Sequence, residues 1–211
     1  MSKWERASRI LIRHLNISLR SLSQNDISKF CDFLLETKRR DGALYLIGAG
    51  RSLDVLKLFG ARIMQDPINL VTQPLALLPK PHIGDVDSAL ICTGTGETAP
   101  VISITESWMK INKNIGLITS LASKKHNSRI LELVTRPKSL IFLPGITKRD
   151  IERRRKRPHE IHSPLTEIFF KKTILIPSQT KFELAVLAFL ESVITELYFI
   201  CEENVNGDTM P

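Results

Sequence analysis

Several signatures are missing from this 211-residue chain, and each absence removes a class of chemistry. No Gly-Lys-Ser/Thr step occurs, so there is no Walker A loop. Gly48-Ala49-Gly50 opens like a dinucleotide fingerprint, but Leu53 stands where G-x-G-x-x-G needs its third glycine. No convincing acidic residue follows a second strand to hold a ribose. The three cysteines, Cys31, Cys92 and Cys201, have neither metal nor redox spacing, so no metal site is expected. Cys31 and Cys92 lie in apolar runs and should pack as small hydrophobes. No apolar run reaches bilayer length and the start carries no signal-peptide pattern, so a cytoplasmic protein without a membrane partner is expected. The odd cysteine count fits a reducing compartment.

Positive charge is in excess, with a net charge of +8. Lys148 to Arg157 (KRDIERRRKR) holds seven basic and two acidic residues and supplies +5 of it. No aromatic residue is interleaved there, so the segment reads as a solvated loop or an anion-facing lid, and a nucleic-acid partner ranks last. The remainder is near balance. With 43% hydrophobic and 25% charged residues, the composition is ordinary for one globular α/β domain.

Against these absences stands Thr93-Gly94-Thr95-Gly96-Glu97-Thr98. It follows the apolar run Ser88 to Cys92 and precedes a helical pattern. A strand that runs into a hydroxyl-rich turn opening a helix aims N–H and O–H groups at one spot, on the positive end of the helix dipole. Glycine lets the backbone approach a ligand there. The simpler alternative is an ordinary N-cap by Thr95, with Glu97 in the first helical turn. Leu44 to Ile47 runs into Gly48-Ala49-Gly50-Arg51-Ser52 in the same manner, and Val55, Leu56, Phe59, Ile63 and Met64 then keep helical spacing. Two such junctions suggest one small phosphorylated ligand.

The pattern predicts helices over 5–22, from an Asn25 or Asp26 cap through Lys38, and over 53–65, 97–111, 127–133 and 182–200. Lys38-Arg39-Arg40-Asp41-Gly42 reads as a helix stop. Strands are predicted over 43–47, 69–72, 89–93, 114–118 and 139–143, and Gln73 to Pro81 as a Pro- and Leu-rich loop. This alternation implies an α/β fold with a doubly wound, five-stranded parallel sheet flanked by helices, flavodoxin-like, its ligand beyond the carboxyl ends of the strands. Leu184 to Leu190 is apolar on every face, which fits either a helix deep in the core or a subunit interface.

Gly48-Ala49-Gly50-Arg51-Ser52, Thr93 to Thr98 and Ile118-Thr119-Ser120 together resemble the three signature loops of the sugar-isomerase (SIS) domain family. Their order and spacing are most similar to the 6-phospho-3-hexuloisomerase branch, in which the segments read GAGRS, SGSGET and ITS. Phe182-Glu183 and Phe189-Leu190-Glu191 resemble that branch's closing Phe-Glu and Phe-Leu-Asp. The resemblance implies a single SIS domain over residues 1–211, with a core from about 25 to 200, an N-terminal helix from about 5 to 22 and a frayed end from about 203.

It also implies that Ser52, Thr93, Thr95, Thr98 and Ser120 give hydroxyls to a sugar phosphate, with N–H groups of Gly94 and Gly96 added. Gly50, Arg51 and Glu97 lie close to the substrate. Arg51 reaches a phosphate or forms a structural ion pair. Ketose–aldose isomerisation follows from the resemblance, with no metal or organic cofactor. Glu183 is the candidate base, its plainer role being to complement a helix dipole. Glu97 is better suited to ordering a helix start.

Histidine departs from the family pattern, since Gln65 follows Arg62-Ile63-Met64 where the family tends to carry His. His82, His159 and His162 are candidate substitutes, and His162 is placed beside Glu183 as a catalytic residue. Pro177 to Lys181 lacks the Gly that precedes the family's Phe-Glu, and the similar Ser163-Pro164-Leu165-Thr166 points to an insertion between them. Two functions remain open. One is a phosphosugar isomerase, turning 3-hexulose 6-phosphate into fructose 6-phosphate. The other is a catalytically silent SIS domain that senses a sugar phosphate. A homodimer or homotetramer is expected in either case.

Overall fold

The computed structural model describes residues 2–65, 68–75, 83–145 and 178–207. Helix α1 (Lys3–Arg20) starts on a capping box, in which the Ser2 hydroxyl accepts from the Glu5 N–H at 3.1 Å and the Glu5 carboxylate accepts from the Ser2 N–H at 2.6 Å. Helix α2 (Gln24–Arg39) is capped by Ser23, which accepts from the Asp26 N–H. The cap therefore lies earlier than Asn25 or Asp26, and Asp26 supplies first-turn charge. At the other end Asp41, at φ 55°, takes the left-handed position expected of Gly42.

The remaining elements are β1 (Leu44–Ile47), α3 (Arg51–Ile63), β2 (Thr72–Pro74), β3 (Ser88–Thr93), α4 (Ala99–Met109), β4 (Ile115–Ser120), α5 (Leu121–Lys125), α6 (Arg129–Leu133), β5 (Ser139–Leu143) and α7 (Ser178–Gly207). All five strands are parallel, in the order β2-β1-β3-β4-β5. This is the doubly wound, flavodoxin-like order, and it bears out the expected fold class.

Strand β2 lies later than the predicted 69–72. Asn69 is at φ 49° and the Leu70 N–H returns to Ile63 O, so the chain is still leaving α3 at that point. Thr72–Pro74 thus takes in the start of the predicted loop. Pro74 is tolerated because β2 is an edge strand. The rest of that loop, with His82, lies outside the described residues.

The sheet is covered on both faces. Leu44, Leu46, Leu90, Cys92, Ile118, Ile141 and Leu143 face α2, α3 and α7. Tyr45, Ile47, Ala89, Ile91, Ile115 and Leu117 face the layer built by α4 and α6, where Trp108 is fully buried against Tyr45. Because alternate residues enter two apolar layers, the strands read as unbroken apolar runs.

Helix α7 closes the first layer. Phe182, Ala185, Val186, Phe189, Leu190, Val193, Ile194 and Leu197 are buried there, and the Phe189 ring meets Phe30 edge-on at 5.1 Å. Within it, Lys181–Glu202 is 22 residues and holds an 18-residue stretch with a mean hydropathy of 1.9, long and apolar enough to cross a membrane by length and composition. The expectation that no apolar run reaches that length is therefore corrected. Scattered glutamates interrupt the run without lowering its mean enough, and one face of the helix belongs to the core.

Candidate functional site

Three loops meet at the carboxyl ends of β1, β3 and β4. In the first, Gly50 adopts φ 55° and caps α3, so the chain turns sharply before Arg51. Ser52 is buried, beside the Cys92 thiol. The Cys92 thiol pKa is pushed far up by burial and then by the charge of Glu183, so it is inert as a nucleophile.

The second loop is tied down from below. Thr93 Oγ1 accepts the Gly96 N–H at 3.2 Å, Thr119 Oγ1 donates to Thr93 O at 2.7 Å, and the Ser120 hydroxyl donates to Gly94 O. Gly96 sits at φ 69°, and a Cβ there would lie 2.6 Å from Ser123 Oγ, with Ser128 Oγ nearer still. Thr95 and Thr98 are half-buried, with their hydroxyls 3.5 Å apart. Thr95 Oγ1 accepts the Glu97 N–H at 3.2 Å.

Thr98, and not Thr95, occupies the N-cap position of α4, and it makes no side-chain cap bond. Glu97 orders a different helix from the one expected: its Oε1 accepts the Arg129 N–H at 3.0 Å at the start of α6. In the third loop Ser120 caps α5 by accepting the Ser123 N–H at 3.1 Å. Thr93, Gly96 and Ser120 thus shape the loop, while Thr95 and Thr98 stand at its open rim.

Across from them, α7 brings in a carboxylate. The Phe182 ring packs on the second loop, where a Cβ on Gly94 would lie 3.1 Å from it. Glu183 follows. Its side chain is 15% exposed, and Oε2 lies 3.7 Å from Arg51 Nη2. That oxygen is buried and accepts no hydrogen bond. Burial raises the carboxyl pKa above its ordinary value, opposed by its own N–H and by the Arg51 charge. Arg51 thus makes the ion pair, which was one of its two expected roles.

Two neighbouring residues escaped the sequence reading. Lys181 is almost fully buried, and desolvation lowers its amine pKa. His14 on α1 donates from Nε2 to Lys181 O at 2.9 Å, and burial lowers its pKa. The available signal was His14 and Ser18, spaced four apart within the apolar stripe of α1; both are buried.

His159, His162 and Lys148 to Arg157 lie outside the described residues. Gln65 is described, exposed, and beyond the far end of α3. At 1.5 Å per residue it is about 20 Å along the axis from Arg51, so within this chain it does not reach the loops. A cleft of about 320 Å³ lined by Thr37, Arg40, Ser88, Asn114 and Lys138 opens at the amino ends of β3 to β5, the opposite edge of the sheet. Among the described residues no group of three or more His, Cys, Asp or Glu side chains is placed to hold a metal.

No protein-family model matches the chain. An uncharacterised protein of Archaeoglobus fulgidus is 24% identical over 155 residues, 74% of this chain and 70% of that protein. The fold is similar to that of a Methanococcus jannaschii protein whose crystal structure infers a molecular function of 3-hexulose-6-phosphate isomerase (TM-score 0.65, 18% identity, 93% of this chain and 92% of that one). It is similar to phosphoheptose isomerase of Neisseria gonorrhoeae (0.57, 14%, 91% and 98%). It is also similar to the sugar isomerase domain of a transcription factor from Sphaerobacter thermophilus (0.61, 9%, 96% and 93%). A five-stranded parallel sheet in 2-1-3-4-5 order, its loops gathered at one edge, gives this chain the fold of the phosphosugar isomerases.

Proposed function

We propose that the chain is a sugar-phosphate isomerase of the SIS family, acting on a ketose 6-phosphate of the 3-hexulose type to give fructose 6-phosphate. The observation that carries this reading is the Glu183 carboxylate, set in a largely buried site beside Arg51 of the first loop. A phosphate held by Ser52, Thr95 and Thr98 leaves the carbon chain of the sugar to extend toward Glu183. Isomerisation needs one base of raised pKa in a site that excludes water. The carboxylate takes the proton from the carbon beside the carbonyl. The C–H electron pair forms the enediol double bond, the carbonyl π pair moves onto its oxygen, and the hydroxyl proton of the adjacent carbon passes to that oxygen. Return of the carbon-bound proton to the former carbonyl carbon completes the shift and leaves the carbonyl on the carbon that was deprotonated. Gly50, Gly94 and Gly96 give the loops their close approach. His162 is the candidate second acid–base group.

A panel of ketose and aldose phosphates, assayed for thermal shift and for isomerisation, tests the reading. Turnover of a hexulose 6-phosphate supports it. Binding without turnover of any member supports the silent sensor, a reading favoured by the sugar isomerase domain of the Sphaerobacter thermophilus transcription factor. We place the activity in the cytoplasm, in a homodimer or homotetramer built partly on α1 and α7. Those helices expose Trp4 and Ile12, and Tyr198 and Phe199. Light scattering that shows a monomer at micromolar concentration would refute the assembly.

A further inference from the structure

Arg51 and Glu183 come from opposite sides of the site. Arg51 opens α3 on the first loop, and Glu183 sits at the start of α7. Their closest atoms are 3.7 Å apart, beyond a close charge-assisted hydrogen bond, although Glu183 Oε2 accepts nothing else. The Arg51 side chain is 50% exposed and that of Glu183 15% exposed, so the guanidinium has solvent beside it and the carboxylate has little. The guanidinium lies at the same loop as Ser52, where an incoming phosphate would bring two negative charges against one carboxylate.

We propose that Arg51 is a positioning residue shared between two anions: in the empty site it holds the Glu183 carboxylate, and an arriving phosphate draws it away. This rests on the loops being a phosphate site. The consequence for chemistry is one of timing. While paired, Glu183 is less basic than its burial alone would make it. Once Arg51 turns to the phosphate, the carboxylate becomes a stronger base at the moment its substrate is in place. Among the described residues, the groups that face Glu183 are Arg51 from α3 and the Cys92 thiol from β3. Lys181 precedes it on α7, and His14 of α1 holds that residue's carbonyl. Burial of the carboxylate favours its neutral form, and Arg51 opposes this. Removing an opposite charge at this distance moves a carboxylate by about one unit or more.

Sulfate is a suitable probe, because it does not titrate near neutral pH and any proton taken up on binding belongs to the protein. Calorimetric titration at about pH 6, above the ordinary carboxylate range, in two buffers of different ionisation enthalpy measures that uptake. Wild type should take up a fraction of a proton as sulfate binds. E183Q and R51Q should bind without uptake, and R51K, which keeps a cation, should retain part of it. The kcat/KM profile of R51Q should shift upward by about one pH unit while its kcat profile stays in place, since the pair is already broken in the substrate complex. Uptake that persists in R51Q would overturn the exchange and assign the effect to the field of the anion itself. Sulfate binding to wild type with no uptake would overturn it and leave the isomerase reading standing. Absence of binding by both sulfate and fructose 6-phosphate would overturn both.

Discussion

Replacing Glu183 with Gln separates the chemical role of this carboxylate from its structural cost. Two terms oppose each other. The attraction to Arg51 at 3.7 Å is worth about 1 kcal/mol at the dielectric of water and about 4 kcal/mol at an effective value of about 20, and the half-exposed guanidinium places it toward the lower figure. Against it stands the desolvation of a buried charge with one unsatisfied oxygen, an acceptor that alone costs about 1–3 kcal/mol. The carboxyl pKa is raised on balance, with burial its largest cause, so desolvation wins. A folded state that holds its proton more tightly than the unfolded chain loses stability as pH rises from the ordinary carboxylate value through the raised one. Glutamine has no such loss. E183Q and wild type should therefore unfold alike in denaturant at about pH 4, where an ordinary glutamate is largely protonated. At pH 7 the variant should be at least as stable as wild type. Its kcat on the accepted sugar phosphate should fall by about a hundredfold or more, with affinity little changed. An E183Q protein that is less stable than wild type by more than about 1 kcal/mol at pH 7, a gap well above ordinary surface effects, would show that the ion pair dominates.

Three further substitutions test other links. Thr98→Val leaves α4 without a lost cap bond, so stability should barely change while sugar-phosphate affinity drops about tenfold or more, the worth of one hydrogen bond to a charged group, as read by calorimetry. Gly96→Ala must fit a Cβ at φ 69° against Ser123 and Ser128, so its midpoint in urea should fall and its phosphate affinity with it; a stable, fully binding variant would show that the loop can rearrange. Phe189→Ala removes a buried ring that touches Phe30, and should cost about 3–5 kcal/mol in equilibrium unfolding. A loss below about 1 kcal/mol would mean that α7 contributes little to the core.

The sheet was legible because its five strands are short apolar runs separated by helical periods, and the two glycine-hydroxyl junctions marked the carboxyl ends of β1 and β3. What escaped was set by tertiary contacts. The position of β2 depends on how Asn69 and Leu70 leave α3. The partner of Glu97 lies on α6, a helix start 32 residues away in sequence. The bond from the Ser120 hydroxyl to Gly94 O is visible only once β3 and β4 lie side by side. The distance of Gln65 from its own chain's loops was hidden for the same reason, because helix geometry carries it away from the loop that its helix begins. Glu183 could be read as a candidate from its Phe-Glu setting, but its Arg51 partner, 132 positions earlier, could not.

Helix α7 also fixes the order in which the molecule can be completed. The strands and the three hydroxyl-bearing loops are all made by Leu143, but the layer over β1, β3, β4 and β5 is not completed until Phe182 to Leu197 arrives. A ribosome adding about 5–20 residues per second releases that helix seconds after the sheet. During that interval the nascent chain presents its hydroxyl loops without Glu183 and with an uncovered apolar face. The carboxylate and the cover enter on one helix, so the chain acquires the Glu183 partner of Arg51 in the same event that seals its core.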